Sequence, residues 1–140
     1  MQLFHLHPAV VHFPLVFLLT GLVTLVLNLF VRRAPWLHEA TSWLLWLGTI
    51  SLWVAVGLGL LAERTAPHVP AAWEELYDHR NLGFWTAGLF AALAVWRLVF
   101  RRRFGPVLLL GWLAAAALLV LTALHGGHLV FGFGMGMLEH

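Results

Sequence analysis

From Pro8 to Val31 the chain runs without a single Asp, Glu, Lys or Arg, and three further stretches come close to repeating the pattern. A helix needs about 20 consecutive apolar residues to cross the hydrocarbon core of a bilayer. Residues 8–31, 42–62, 81–100 and 106–130 each meet that requirement. Lipid offers no partners to backbone N–H and C=O groups, so such stretches must be helical. With 61% hydrophobic and 10% charged residues, the chain carries more apolar surface than a soluble domain can hide. The expected fold is therefore all-α, an integral membrane four-helix bundle forming one domain over residues 1–137, with no internal repeat standing out. The first seven residues contain no Lys or Arg, and no small-residue cleavage site follows the first apolar run. That run reads as a retained span and not a signal peptide. The closing Leu138-Glu139-His140 resembles the start of a polyhistidine tag and is set aside.

All eight basic residues are Arg, and they cluster. Arg32 and Arg33 follow the first span; Arg97, Arg101, Arg102 and Arg103 lie at the end of the third. The other side carries Arg64 and Arg80 beside Glu63, Glu74, Glu75 and Asp78. By the positive-inside rule the Arg-rich side is cytoplasmic, which places both termini and the 63–80 loop outside. The net charge of +2 reflects these topology-setting arginines and gives no sign of a nucleic-acid partner. Within the outer loop, residues 70–79 predict a short helix lying along the interface, with Trp73 and Tyr77 at the headgroups. Most other tryptophans sit near span ends, as an aromatic belt does.

Cysteine is absent. Disulfides, thiolate metal sites, iron–sulfur clusters and the covalent attachment of a c-type haem are excluded. Any cofactor must be held by imidazole, thioether, carboxylate or backbone, which turns attention to the histidines.

His12 lies 20 positions before Arg32, His79 lies 22 before Arg101, and His125 and His128 lie 22 and 25 after Arg103. At about 1.5 Å of rise per residue, these four imidazoles share one level near the outer face. His5, His7 and His68 belong just above them, and only His38 belongs to the opposite side. Ionisable side chains at membrane depth are costly, which makes such a gathering a functional hypothesis. Pro8 suits a first helical turn and pushes the preceding His7 out of helical geometry, so His7 is expected to cap the span, and with Gly126 and Gly127 it joins the four deeper histidines as a candidate cofactor-binding residue. Pro14 has no N–H for the carbonyl of Val10, one turn before it. On the last span, His125 and His128 share a face with Thr122, Leu118, Ala115 and Gly111, and the Gly126-Gly127 pair removes bulk between them. Thr20, Thr24 and Asn28 form a polar stripe on the first span, suited to hydrogen bonding between helices.

Three chemistries compete for this cluster. A b-type haem could be held by two imidazoles from different helices, as in other four-helix bundles. His12 with His125 is the expected pair, His79 with His128 the second choice, and Phe13, Phe84, Phe131 and Phe133 could wall the ring. Zinc or copper could instead bind three or four of the imidazoles, with Glu63 completing the site. Proton handling is a third use, because imidazole titrates near neutrality and Glu63 and Asp78 lie close in level. Against all three stands a purely structural role, in which the rings cap helix ends and bond to carbonyls.

The motif His7-Pro8-x-x-Val11-His12-Phe13-Pro14, together with Gly126-Gly127-His128-Leu129-Val130-Phe131 and the Gly-rich end Gly134-Met135-Gly136, resembles a widespread bacterial family. Its members are small four-helix membrane domains of unknown function, for some of which haem binding has been suggested. The resemblance spans nearly the whole chain and implies a bacterial inner (cytoplasmic) membrane location. It also marks a departure: many members resemble Tyr-x-His-Gly after the Gly-Gly pair, whereas Phe131-Gly132-Phe133-Gly134 stands here. If that histidine is a ligand elsewhere, His125 or His128 must take its place in this chain.

The expected function is electron transfer by a b-type haem near the outer face, exchanging with quinone or a soluble redox protein. No nucleophile–base arrangement or phosphate loop points to an enzyme with its own substrate. The alternatives are a zinc- or copper-binding membrane protein and a non-catalytic anchor subunit of a larger redox complex. Besides the lipid bilayer, a second copy of the chain is a further candidate partner.

Overall fold

The structure, a computed structural model, describes residues 6–31, 34–65, 69–100 and 105–135. Five helices and one 3-10 turn make up these residues, and no strand occurs among them: α1 (Leu6–Val10), α2 (His12–Phe30), α3 (Pro35–Thr65), the turn Pro70–Ala72, α4 (Trp73–Val99) and α5 (Pro106–Phe131). Four helical segments, Leu6–Phe30, Pro35–Thr65, Pro70–Val99 and Pro106–Phe131, are long and apolar enough to cross a membrane. His5, His68, Arg32, Arg33, Arg101, Arg102, Arg103 and residues 136–140 lie outside the described residues.

Three boundaries differ from expectation, each for a local reason. The first span is broken at Val11. Pro14 cannot donate to the Val10 carbonyl and its ring crowds it, while the Val11 N–H still reaches the His7 carbonyl at 3.1 Å. His7 therefore sits inside the short α1 and not outside it as a cap. The second span begins at Pro35 instead of residue 42. Proline is preorganised for a first turn, and Leu37 and Thr41 are buried from that point on. The expected interfacial helix over 70–79 is no separate element, because the 3-10 turn runs straight into α4. Glu74 and Glu75 occupy the first turn of α4, where negative charge favours the helix dipole.

The helices pair as two antiparallel hairpins, α2 with α3 and α4 with α5. Along α3, after Leu37, the buried positions are Thr41, Leu45, Gly48, Thr49, Leu52 and Ala55. Shifted by 67 residues, they become Leu108, Trp112, Ala115, Ala116 and Leu119, all buried, and the half-buried Thr122. The buried Pro14, Leu18 and Gly21 of α2 become Thr86, Phe90 and Leu93 of α4 on a shift of 72. Buried positions thus recur between the hairpins while side chains do not, and the recurrence stops at Leu25, whose counterpart on α4 is the half-buried Arg97.

The two hairpins meet at Trp112. Its ring stands edge-on to Phe90, centroids 6.4 Å apart, and its Nε1 donates to the Leu18 carbonyl at 3.1 Å. Gly21 makes room for it, since a Cβ there would sit 2.7 Å from the indole. Within the first hairpin, Asn28 Nδ2 lies 2.8 Å from Thr41 Oγ1, which in turn lies 2.9 Å from Thr24 Oγ1. Two of the three stripe residues thus bond between helices, while Thr20 is exposed. Outward-facing residues such as Val16, Val23, Ile50, Trp53, Trp85, Val95 and Leu110 form the lipid-contacting surface.

Candidate functional site

Two imidazoles meet at one end of the bundle, and each is fixed by the same device. The Nδ1–H of His7 donates to the Ala55 carbonyl on α3 at 2.8 Å, and the ring lies against Gly59. The Nδ1–H of His79 donates to the Thr122 carbonyl on α5 at 2.9 Å, and the ring lies against Gly126. In both cases the glycine stands one helical turn after the accepting residue, and the two carbonyl–glycine pairs are related by the shift of 67. A Cβ would approach the Cε1 of His7 to 3.1 Å at Gly59 and that of His79 to 2.9 Å at Gly126. Glycine is required here by the imidazole's close approach, not by backbone conformation.

The two rings stand 6.1 Å apart, centroid to centroid, at an interplanar angle of 76°. Carbonyl oxygens only accept, so each Nδ1 carries the hydrogen, and in the neutral ring the lone pair sits on Nε2. Among the described residues no hydrogen bond engages either Nε2, and none joins the two rings. An imidazole whose Nδ1–H is held by a backbone carbonyl and whose Nε2 stays bare is the usual form of a metal-ligating histidine.

Beside this pair lies a second group. Glu75 Oε1 is 3.9 Å from His125 Nε2, and its Oε2 is 3.4 Å from His128 Nδ1. His125 also donates from Nδ1 to the Leu121 carbonyl of its own helix at 3.0 Å. The His128 ring packs beside Phe133, centroids 5.1 Å apart. Glu63, considered above as a metal ligand or proton group, instead accepts from Arg80 at 2.9 Å, and Arg80 lies over the Tyr77 ring. Asp78 is exposed.

The sequence-derived residues thus divide. His7 and His79 are brought together, and His125 and His128 are gathered by Glu75. His12 is exposed, five residues and a helix break beyond His7, and no hydrogen bond or ring contact joins it to His125. Gly126 serves His79, whereas the Cβ position of Gly127 meets nothing within 4 Å. Phe13, Phe84 and Phe131 are exposed and do not wall an interior space. Sequence reasoning missed Glu75 as the residue facing the α5 histidines, and missed Gly59 and the two accepting carbonyls. Glu75 stands one turn before His79 on α4, which was its available signal. At the opposite end of the bundle, Arg97 Nη2 donates to His38 Nε2 at 2.5 Å. No group of three or more His, Asp or Glu side chains among the described residues is placed to hold a metal ion.

A family profile described as "Predicted membrane protein (DUF2231)" matches residues 4–139. The chain belongs to that family. The match takes in both hairpins and every histidine considered above except His140, so the two hairpins and their histidine end lie within the DUF2231 domain. No curated protein and no solved structure matches the chain.

Proposed function

We propose that this DUF2231 domain is a b-type haem protein that transfers electrons near the outer face of a bacterial inner membrane. The observation that carries the reading is the His7–His79 pair: two imidazoles from different hairpins, oriented by backbone carbonyls, with neither Nε2 hydrogen-bonded among the described residues. The donor set fits a haem, which needs two protein ligands, better than a bare zinc or copper ion, which needs three or four. His7 and His79 would hold it in place of the His12–His125 pair that depth alone favours. When bound, haem supplies one-electron chemistry, and two imidazole ligands leave no open position for oxygen or substrate. The chain's own part is to fix the rings through Ala55 and Thr122 and to exclude solvent with the half-buried faces of α1, α3, α4 and α5. The arginines at the far end support a cytoplasmic orientation for that end and an outward one for the histidines. Quinone or a soluble redox protein is the exchange partner that this position suits.

The test is the visible spectrum of the purified protein, oxidised and reduced. Wild type, His12→Ala and His125→Ala should show a haem Soret band, and His7→Ala and His79→Ala should lose it. Colourless wild-type protein that remains folded would favour a passive anchor and reject the reading; retention in His7→Ala and His79→Ala would reject the ligand pair.

A further inference from the structure

The hairpins share buried positions and the way each seats an imidazole, but they part at two further positions on α3 and α5. His125 and His128 stand 67 residues after Leu58 and Leu61, so α5 carries two imidazoles where α3 carries two leucines. At these two matched positions α3 is apolar and α5 is ionisable.

The ionisable side has an electrostatic peculiarity. Because His125 Nδ1 donates to the Leu121 carbonyl, the Nε2 facing Glu75 is a bare acceptor in the neutral ring. A carboxylate oxygen 3.9 Å away is also an acceptor, so the two repel unless a proton is added. One proton on the trio makes the contact attractive. The Glu75 side chain is 22% exposed and that of His128 is 58% exposed, which gives the shielded carboxylate a neighbour open to water. Among the described residues, the other ionisable groups near Glu75 are its sequence neighbours Glu74 and Asp78 and, on the same helix, His79, with His7 of α1 beyond it. Arg80 is occupied by Glu63 of α3.

We infer that Glu75, His125 and His128 form a proton-binding site that loads one proton when the neighbouring His7–His79 centre gains an electron. This rests on the haem reading given above. The balance is one electron in from a one-electron reductant and one proton in from water, both leaving on reoxidation. The added negative charge at the centre is offset by the proton on the trio, which stands on the same helices as His79 and its carbonyl partner.

Two measurements on the full chain in nanodiscs test it. In haem-loaded protein the midpoint potential should fall with pH by up to about 59 mV for each tenfold drop in proton concentration, the limit for one proton per electron. Glu75→Gln and the double variant His125→Leu/His128→Leu should flatten that slope; the leucines copy what α3 already accommodates. An unchanged slope in both variants overturns the proposal. Infrared spectra of protein without added haem read the trio directly. A carboxyl band that titrates in wild type, vanishes in Glu75→Gln and shifts in the double leucine variant supports a shared proton. A Glu75 band indifferent to the two leucines overturns it. Absence of haem from wild type would defeat the parent reading and the coupling to an electron with it, whereas the infrared result decides separately whether the trio shares a proton.

Discussion

The two hairpins hold the same positions with different chemistry. The first fills its core with Leu18, Leu25, Leu45 and Leu52 and ties α2 to α3 through Asn28, Thr24 and Thr41. The second puts Phe90 and Trp112 where the first has Leu18 and Leu45 and, among the described residues, ties α4 to α5 through the Thr86–Thr122 hydroxyls at 3.0 Å and the bond from His79 to the Thr122 carbonyl. Lipid tails are as apolar as leucine, so association within a membrane depends on close packing and hydrogen bonds and not on the exclusion of water. The first hairpin relies more on the polar tie, the second more on aromatic volume. Substitutions at matched positions should expose that division.

The largest contrast should come from the cores. Trp112→Ala removes a buried aromatic ring and its bond to Leu18, at a cost of about 3–5 kcal/mol. The matched Leu45→Ala should cost about 2–3 kcal/mol, near the lower end for a buried leucine. Unfolding in mixed micelles measures both, and equal costs would break the claim that Trp112 joins the hairpins as well as filling one of them. Next come the glycines under the imidazoles. Gly126→Ala should weaken haem binding about tenfold, the lower range for disturbing a group that orients a ligand. Gly59→Ala should have a smaller effect, since its Cβ contact is longer at 3.1 Å against 2.9 Å. Gly57→Ala, where a Cβ meets nothing, is the control and should leave the spectrum unchanged. The smallest contrast is polar. Asn28→Leu should destabilise by about 1–2 kcal/mol and Thr122→Val by about 0.6 kcal/mol, following measured hydrogen bonds between membrane helices. A larger loss in Thr122→Val than in Asn28→Leu would reverse the assignment of the polar tie to the first hairpin.

The four spans were legible because a charge-free run of membrane length has few other outcomes. The inward face of the last span was legible too, since Ala115 and Thr122 recur at helical spacing. The start of α4 was not, because the amphipathic pattern around Trp73 and Tyr77 suits an interfacial helix and the first turns of a long span equally well. At the histidine end, counting residues from the arginines gave depth but not direction. His7 stands just above the level of His12, yet five residues at 3.6 per turn carry the two to different faces even before the break at Val11. The recurrence of buried positions escaped notice for a related reason: Leu45 and Trp112, or Gly48 and Ala115, share a position and a burial state but not a side chain.

The break at Val11 has a mechanical corollary. The five residues of α1 contribute no buried side chain, so His7 is retained chiefly by one bond to Ala55 and by its seat on Gly59. His79, in contrast, rides on a helix anchored by Phe90 and Leu93. Of the two rings that form the pair, one is hinged and the other is bolted, and a pull on the amino-terminal end should part them while the remaining spans stay put.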